Sequence, residues 1–274
     1  MYNETKDEQS KTKNLIGMVR MLKSERHDKI LGYLEHNNFV TVTELAQSLG
    51  VSDMTVRRDI TELSEKNELV KLYGGAQKVN LKEKELTTTE KIELSVENKE
   101  YIGRVMNSVI NDGDVVYIGA GTTILYALPY IDKKELFFIT NSMIAFDYLI
   151  HNSDYKVQLT GGEYLKVTEE FVGEHAEKIF DNLNIDIAFA ATNGIYNDNV
   201  TTANELEGSI QKAAFRNAKQ TVVVADSSKF NVSDVYTFYK LGDLDFVITD
   251  NEMDQNTLDY FSYFGKIVNK EMKK

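Results

Sequence analysis

The 274-residue sequence contains no cysteine, which excludes disulfides, thiolate metal sites and a cysteine nucleophile. A single proline leaves few rigid linkers. No apolar run approaches the ~18 residues that span a bilayer. The opening stretch MYNETKDEQSKTKN lacks the apolar segment that marks export. Histidine is sparse: His27, His36, His151 and His175 are scattered and read as surface or satisfied side chains rather than metal ligands. These absences set the expectation of a cytoplasmic protein with no membrane partner, no metal and no cofactor. What is present is ordinary for a globular chain, 42% apolar and 27% charged, and long enough for two folded domains.

Positive charge is short overall. The formal net charge of −12 points, taken alone, away from nucleic acid. Its distribution changes that reading. Residues 1–22 carry four basic and three acidic groups, residues 23–78 eight and nine, and residues 79–274 nineteen and thirty-one. The deficit therefore lies in the C-terminal part. The N-terminal module is near neutral, so attraction to phosphate there depends on where individual Arg and Lys side chains stand.

Three helices are legible in that module. In SERHDKILGYLEHN, Ile30, Leu31 and Leu34 recur at helical spacing and Ser24 is placed to cap the start. In TVTELAQSLG, Thr41 and Glu44 form a capping box, Leu45, Ala46 and Leu49 form the inner stripe, and Gly50 stops the helix. Ser52 recaps at once in VSDMTVRRDITELSEKN. A short helix, a glycine turn and a recapped helix describe a helix-turn-helix. On the third helix Val56, Ile60 and Leu63 share one face, with Met54, Arg58 and Thr61 opposite and Thr55 and Arg57 beside them. Side chains of those types near a helix start reach base edges and phosphates in the major groove. LVKLYGGAQKV then reads as two extended runs around Gly74-Gly75, a wing flanked by Lys71 and Lys78.

The stretch from Arg26 to Ala76 closely resembles the winged helix-turn-helix of the DeoR/GlpR family of bacterial sugar-metabolism regulators. The family's SxxTxRRD motif falls on Ser52, Thr55, Arg57, Arg58 and Asp59, and its wing on Gly74-Gly75-Ala76. The DNA-contacting set is then expected to be Thr41, Ser52, Met54, Thr55, Arg57, Arg58, Thr61, Lys71, Gly74 and Gly75. Residues 1–22 fall outside the motif; either they form a disordered arm or the true start is Met18 or Met21.

A charged stretch, LKEKELTTTEKIELSVENKE, reads as a linker running into a helix through Tyr101–Ile110. Beyond it short Val/Ile/Phe-rich runs alternate with amphipathic helical patterns, from DVVYIGA and TTILYAL to FVITD and NTLDYFSYF. That alternation predicts an α/β domain built on a largely parallel sheet. Ligands of such sheets bind at the carboxyl ends of the strands. Polar small-residue clusters stand at those ends: Gly119-Ala120-Gly121-Thr122-Thr123, Thr140-Asn141-Ser142, Thr160-Gly161-Gly162, Asn193-Gly194 and Asp226-Ser227-Ser228-Lys229. The first offers a backbone nest, a helix start and two hydroxyls to a phosphate. It is neither a Walker loop nor a dinucleotide fingerprint. The clusters together suit a phosphorylated polyol.

This half, too, is similar to the DeoR/GlpR family, whose sensor domain has the fold of sugar-phosphate isomerases such as ribose-5-phosphate isomerase. The motifs GAGTT (119–123), TNS (140–142), TGGE (160–163), FVG (171–173), NG (193–194) and VADSSKF (224–230) carry the resemblance. It implies that GAGTT grips the phosphate with Lys229 as counter-charge, and that Asn141, Gly162, Asn193 and Glu205 line the sugar. The expected ligand set is Gly119, Gly121, Thr122, Thr123, Thr140, Asn141, Ser142, Gly161, Gly162, Asn193, Gly194, Glu205, Asp226 and Lys229. The run TGGEYLKVTEEFVGEHA is similar to that of lactose phosphotransferase-system repressors, which implies a tagatose phosphate inducer.

The expected organisation is an arm over 1–22, a winged helix-turn-helix over 23–78 with its helix-turn-helix at 40–59, a linker over 79–94 and a sugar-phosphate-sensing domain over 95–274. A rival reading makes the larger domain an aldose–ketose isomerase, which needs a carboxylate base beside the substrate. In IDIAFAATNGI the family comparison puts Ala190 and Asn193 where the isomerases carry acids, leaving only Glu205 and Asp226. The expectation is therefore a sensor without catalytic residues. A winged helix reads a short half-site, so a homodimer or homotetramer on two-part operator DNA is expected, released by the sugar phosphate. Typical coupling of this kind is ~1–3 kcal/mol.

Overall fold

The apolar periodicities of the N-terminal module close on one another around a single small core. The computed structural model describes residues 21–36, 39–66, 68–72, 74–78, 80–81 and 87–272. The arm expected over 1–22 therefore lies almost entirely outside the described residues. The chain divides into two units, Met1–Lys78 and Val79–Lys274.

In the first unit α1 (Lys23–His36), α2 (Val42–Leu49) and α3 (Asp53–Glu65) pack with a three-stranded sheet. The strands are β1 (Phe39–Thr41), β2 (Leu69–Leu72) and β3 (Gly75–Lys78), in the antiparallel order β1-β3-β2. The strand β1 has no counterpart in the sequence reading, being only three residues long between two helices. The first helix starts one residue before Ser24, which therefore sits in the first turn rather than at the cap. Thr41 makes its capping box with Glu44, Gly50 takes the left-handed conformation (φ 65°), and the Ser52 side chain accepts from the Thr55 amide. Ile30, Leu34, Leu45, Val56, Ile60, Leu63 and Leu69 are sealed in the core. Each such side chain contributes about 1.5–3 kcal/mol on burial.

The second unit is built on a seven-stranded parallel sheet. Its strands in chain order are β5 (Val115–Ile118), β6 (Phe137–Thr140), β7 (Lys156–Leu159), β10 (Ile185–Ala191), β13 (Ala218–Val224), β16 (Phe246–Ile248) and β17 (Ile267–Val268). Their spatial order is β17-β16-β13-β10-β5-β6-β7. The near-continuous apolar runs follow from burial on both faces. In β13, Val222 and Val224 enter one core and Val223 the other; in β16, Phe246 and Ile248 oppose Val247 in the same way. Helix α5 (Val96–Val109) covers one face through Ile102, Val105 and Met106, and α9 (Glu205–Arg216) covers the other through Ile210, Ala214 and Phe215. The helix α5 begins five residues before the expected Tyr101.

The smaller pieces were not legible. A hairpin joins β8 (Glu163–Leu165) to β9 (Glu170–Val172). An antiparallel sheet joins β11 (Gly194–Tyr196), β12 (Asn199–Thr202) and β15 (Tyr236–Lys240). Its tight turn places Asn197 at φ 51°, a conformation that asparagine tolerates. The stretch read as a linker over 79–94 belongs to the larger unit. There β4 (Asn80–Leu81) pairs with β14 (Val232–Ser233), and Thr87 caps α4 (Thr88–Ile92) in a capping box with Glu90.

The strand order positions the site. From β5 the chain steps outward through β6 to β7, then returns so that β10 lies on the other side of β5 and the sheet grows the opposite way. The switch between β5 and β10 leaves a crevice at their carboxyl ends.

Candidate functional site

Two surfaces carry the chemistry, and each is described within its own unit. On α3 the inner face holds Val56, Ile60 and Leu63, and it also buries Asp59. The Arg26 Nη2 group donates to Asp59 Oδ1 at 2.9 Å, and its Nε donates to the other carboxylate oxygen. The His27 ring lies 3.3 Å from Oδ1. Burial pushes the Asp59 carboxyl up, but Arg26 and His27 more than reverse that and hold it below the ordinary carboxylate range. The acid of the RRD motif thus ties the third helix to the first, a role the sequence reading did not assign. On the outer face Met54 is 69% exposed and Arg57 and Arg58 are exposed.

Several polar members of the expected DNA set have structural work as well. The Thr41 hydroxyl donates to Glu44 Oε2 at 2.8 Å. Ser52 Oγ lies 3.0 Å from Thr55 Oγ1. The Thr61 hydroxyl donates to the Arg57 carbonyl at 2.7 Å and accepts from Lys71 Nζ at 2.9 Å, fastening the wing strand to α3. Gly74 makes the wing turn at φ 85°. Gly75 departs from expectation: it is buried in the central strand between Thr41 and Leu72, so it presents no outer surface.

In the larger unit the switch-point crevice is a cleft with about 720 Å³ of empty space, including its open mouth. Of the expected ligand set, Gly121, Thr122, Thr123, Asn193, Asp226 and Lys229 line it together. Gly121 lies at φ 146°, and an added Cβ there would meet Ala191 Cβ at 2.5 Å. A side chain at that turn would both strain the backbone and strike β10. The Asp226 side chain accepts from Ser228 N at 3.1 Å and so shapes the turn that carries Lys229.

The other expected residues do not line the cleft. Asn141 stands behind it and positions it: Nδ2 donates to Glu170 Oε2 at 2.8 Å and to the Phe171 carbonyl at 3.2 Å, and Oδ1 accepts from Ala120 N at 3.0 Å. Thr140 Oγ1 accepts from Ser142 N, and Ser142 caps α7 (Met143–Asn152). Gly161 and Gly162 turn the chain into β8 at φ 68° and 114°. Gly194 packs where an added Cβ would lie 2.3 Å from the Val232 carbonyl. Gly119 faces the Gln211 side chain. Glu205 is exposed in the first turn of α9, whereas Glu207 from the same turn lines the cleft. The reason is local: Asn204 caps the helix, and its Nδ2 donates to Glu207 Oε1 at 2.8 Å, turning that residue inward.

Twelve lining residues lie outside the expected set, among them Lys91, Lys99, Glu170, Glu207 and Gln211. Lys91 Nζ donates to Asn193 Oδ1 at 3.1 Å, and Lys99 Nζ donates to the Lys91 carbonyl at 2.7 Å. Burial lowers the Lys99 pKa to about 8, with Asp226 opposing and Lys229 and Lys91 reinforcing. The capping pattern Thr87-x-x-Glu90 marks a helix that would have drawn attention to Lys91, and Asn204-x-x-Glu207 would have favoured Glu207 over Glu205. Glu170 gave no sequence signal. The count of acids in the cleft therefore rises beyond Asp226. Glu170 accepts from Asn141, and Glu207 Oε2 accepts from the Thr202 hydroxyl at 2.6 Å.

A family model described as the DeoR C-terminal sensor domain matches residues 94–251, and one described as the DeoR-like helix-turn-helix domain matches residues 26–81. The chain belongs to the DeoR family. Among its curated relatives, the lactose phosphotransferase system repressor of Streptococcus mutans is 33% identical over 252 residues, 91% of this chain and 100% of the relative. The protein of the same name from Lactococcus lactis subsp. lactis is 35% identical over 252 residues, 90% of this chain and 99% of the relative. The solved ribose 5-phosphate isomerase A of Methanocaldococcus jannaschii aligns with 48% of this chain and 53% of its own, at 18% identity and a TM-score of 0.35. That is too distant to bear on function. In this DeoR-family chain, no helix among the described residues is long and apolar enough to cross a membrane.

Proposed function

We propose that the chain is a cytoplasmic transcription repressor of sugar-catabolism genes, held on operator DNA by its winged helix and released by a phosphorylated sugar. The observation that carries the ligand class is the convergence of Lys91, Lys99 and Lys229 on a cleft that also offers the Thr122 and Thr123 side chains. One buried and two half-buried cations beside hydroxyls and a helix start suit a phosphate monoester. The neighbouring acids and amides suit hydroxyls of a sugar. The relatives' names point to lactose use, and the resemblance of the run TGGEYLKVTEEFVGEHA implies a tagatose phosphate.

The outer face of α3 enters the major groove with Met54, Thr55, Arg57 and Arg58, while Thr41, Ser52, Thr61, Lys71 and Gly74 hold or flank that helix. Two such heads in a homodimer, or a homotetramer, cover a two-part operator. The cleft binds without turnover: Ala190 is buried in the apolar core, Asn193 is not a base, and Asp226, Glu170 and Glu207 are already engaged as acceptors.

A thermal-shift screen of the full chain against hexose, tagatose and pentose phosphates tests this. One sugar phosphate is expected to raise the melting temperature and to release the protein from DNA upstream of its own gene. No stabilisation by any member of the panel would remove the sensor reading, and conversion of an aldose phosphate to its ketose would restore the isomerase.

A further inference from the structure

The cleft contains a nearly buried carboxamide that is only half paired. Gln211 lies on α9 one turn beyond Glu207, on the same face, is 5% exposed and lines the cleft. Its Oε1 is 3.2 Å from the Tyr117 hydroxyl, which is also 3.0 Å from Asn141 Oδ1. Asn141 is fixed in orientation, because its Nδ2 faces a carboxylate and a carbonyl while its Oδ1 faces the Ala120 N–H. Tyr117 has a single hydroxyl hydrogen and cannot serve both oxygens, so whichever way the Gln211 carboxamide is turned, one of its two polar atoms has no hydrogen-bond partner among the described residues and stands open to the cleft. A nearly buried carboxamide atom without a protein partner is costly unless water or a ligand completes it.

Building on the sensor reading above, we propose that Gln211 is a specificity-determining residue whose carboxamide hydrogen-bonds a hydroxyl of the sugar part of the ligand. Gln211 is neutral, so it is not suited to hold the phosphate, which the lysines attract. A site built to hydrogen-bond a substrate oxygen discriminates strongly against a ligand that lacks it. Gly119 supports this placement. A Cβ added there would lie 2.6 Å from Gln211 Oε1 and 2.9 Å from Nε2. The strand-end glycine expected to cradle phosphate instead leaves room for the carboxamide.

The test is calorimetric titration of the full chain with D-tagatose 6-phosphate, D-fructose 6-phosphate and inorganic phosphate, for wild type, Gln211→Met and Gly119→Ala. The tighter of the two sugar phosphates is expected to lose roughly tenfold or more in affinity in both variants, with inorganic phosphate binding and melting temperature unchanged. If wild type binds neither these nor any other sugar phosphate of the panel above better than inorganic phosphate, the sensor reading itself falls. If wild type discriminates and Gln211→Met discriminates equally, only the Gln211 role falls. Equal loss of sugar phosphate and inorganic phosphate would assign Gln211 to the general shape of the cleft and also overturn the proposal. Should Gln211→Met fail to fold, Gly119→Ala decides alone, since wild-type selectivity there would show that the carboxamide position is immaterial.

Discussion

The winged helix and the sensor cleft handle charge in opposite ways. On α3, Arg57 and Arg58 stand exposed, while the acid beside them, Asp59, is buried and neutralised by Arg26. In the cleft the cation itself is buried: Lys99 is 2% exposed and its pKa falls to about 8. Exposed cations suit a long polyanion, whose field reaches through water and whose binding weakens with salt. A buried cation suits one small anion that replaces the lost water. The difference supports the proposed division, DNA for one unit and a metabolite for the other, although the summed charge of the chain taken alone points away from nucleic acid.

The largest effect should come from breaking the buried pair of the first unit. Asp59→Ala leaves Arg26 uncompensated and is expected to destabilise that unit by about 3–5 kcal/mol, measured by denaturant melts. Because the Asp59 carboxyl is held below its usual range, its stabilisation is present at neutral pH. It is lost as pH falls through that lowered value. A melt unchanged by the substitution would mean that the RRD acid is not structural.

Next comes the cleft. Lys229→Ala is expected to weaken sugar-phosphate binding by about 1.5–3 kcal/mol, roughly tenfold to a hundredfold, while leaving DNA affinity intact. Thr122→Val should act in the same direction but less. The converse variant is Arg58→Ala, expected to weaken operator binding by about 1–3 kcal/mol and to leave calorimetric ligand binding alone. If either variant disturbed both activities equally, the division between the units would blur.

Smaller still is a pH effect. With Lys99 titrating near 8 in the free cleft, sugar-phosphate affinity should fall about tenfold between pH 7 and 9, because a phosphate dianion prefers the protonated amine. Lys99→Met should bind weakly at both values and lose that slope. At the bottom of the scale, Glu205→Ala should change neither ligand affinity nor stability beyond ~0.5 kcal/mol, because the side chain is exposed outside the cleft.

The same comparison explains how much was legible in the sequence. The first unit is written in local signals: Thr41 with Glu44, Gly50, Ser52 and the spacing of Val56, Ile60 and Leu63 each act within one turn of helix. The sensor fold was legible because its strands are buried on both faces and read as apolar runs. Its strand-end residues followed, and Gly121, Thr122, Thr123, Asn193, Asp226 and Lys229 do meet. The remainder of the cleft arrives from elsewhere. Lys91 sits in a charged run that looks like linker, Glu170 in a three-residue strand, and Gln211 on a helix whose inner face is apolar apart from Glu207. Beyond the Thr87–Glu90 cap ahead of Lys91, nothing local distinguishes such residues from surface or core; the switch in strand order brings them together. Asn141 was legible as a member of the site but not as what it is, a support that ties the loop after β5 to Glu170.

The most direct test measures both units at once: fluorescence anisotropy of a labelled duplex from the chain's own upstream region, at fixed salt, titrated with D-tagatose 6-phosphate. Wild type should bind the duplex and leave it as the sugar phosphate is added, whereas Lys229→Ala should bind as tightly and stay. Wild type that remains bound at saturating sugar phosphate, or Lys229→Ala that leaves at the wild-type concentration, would contradict the account.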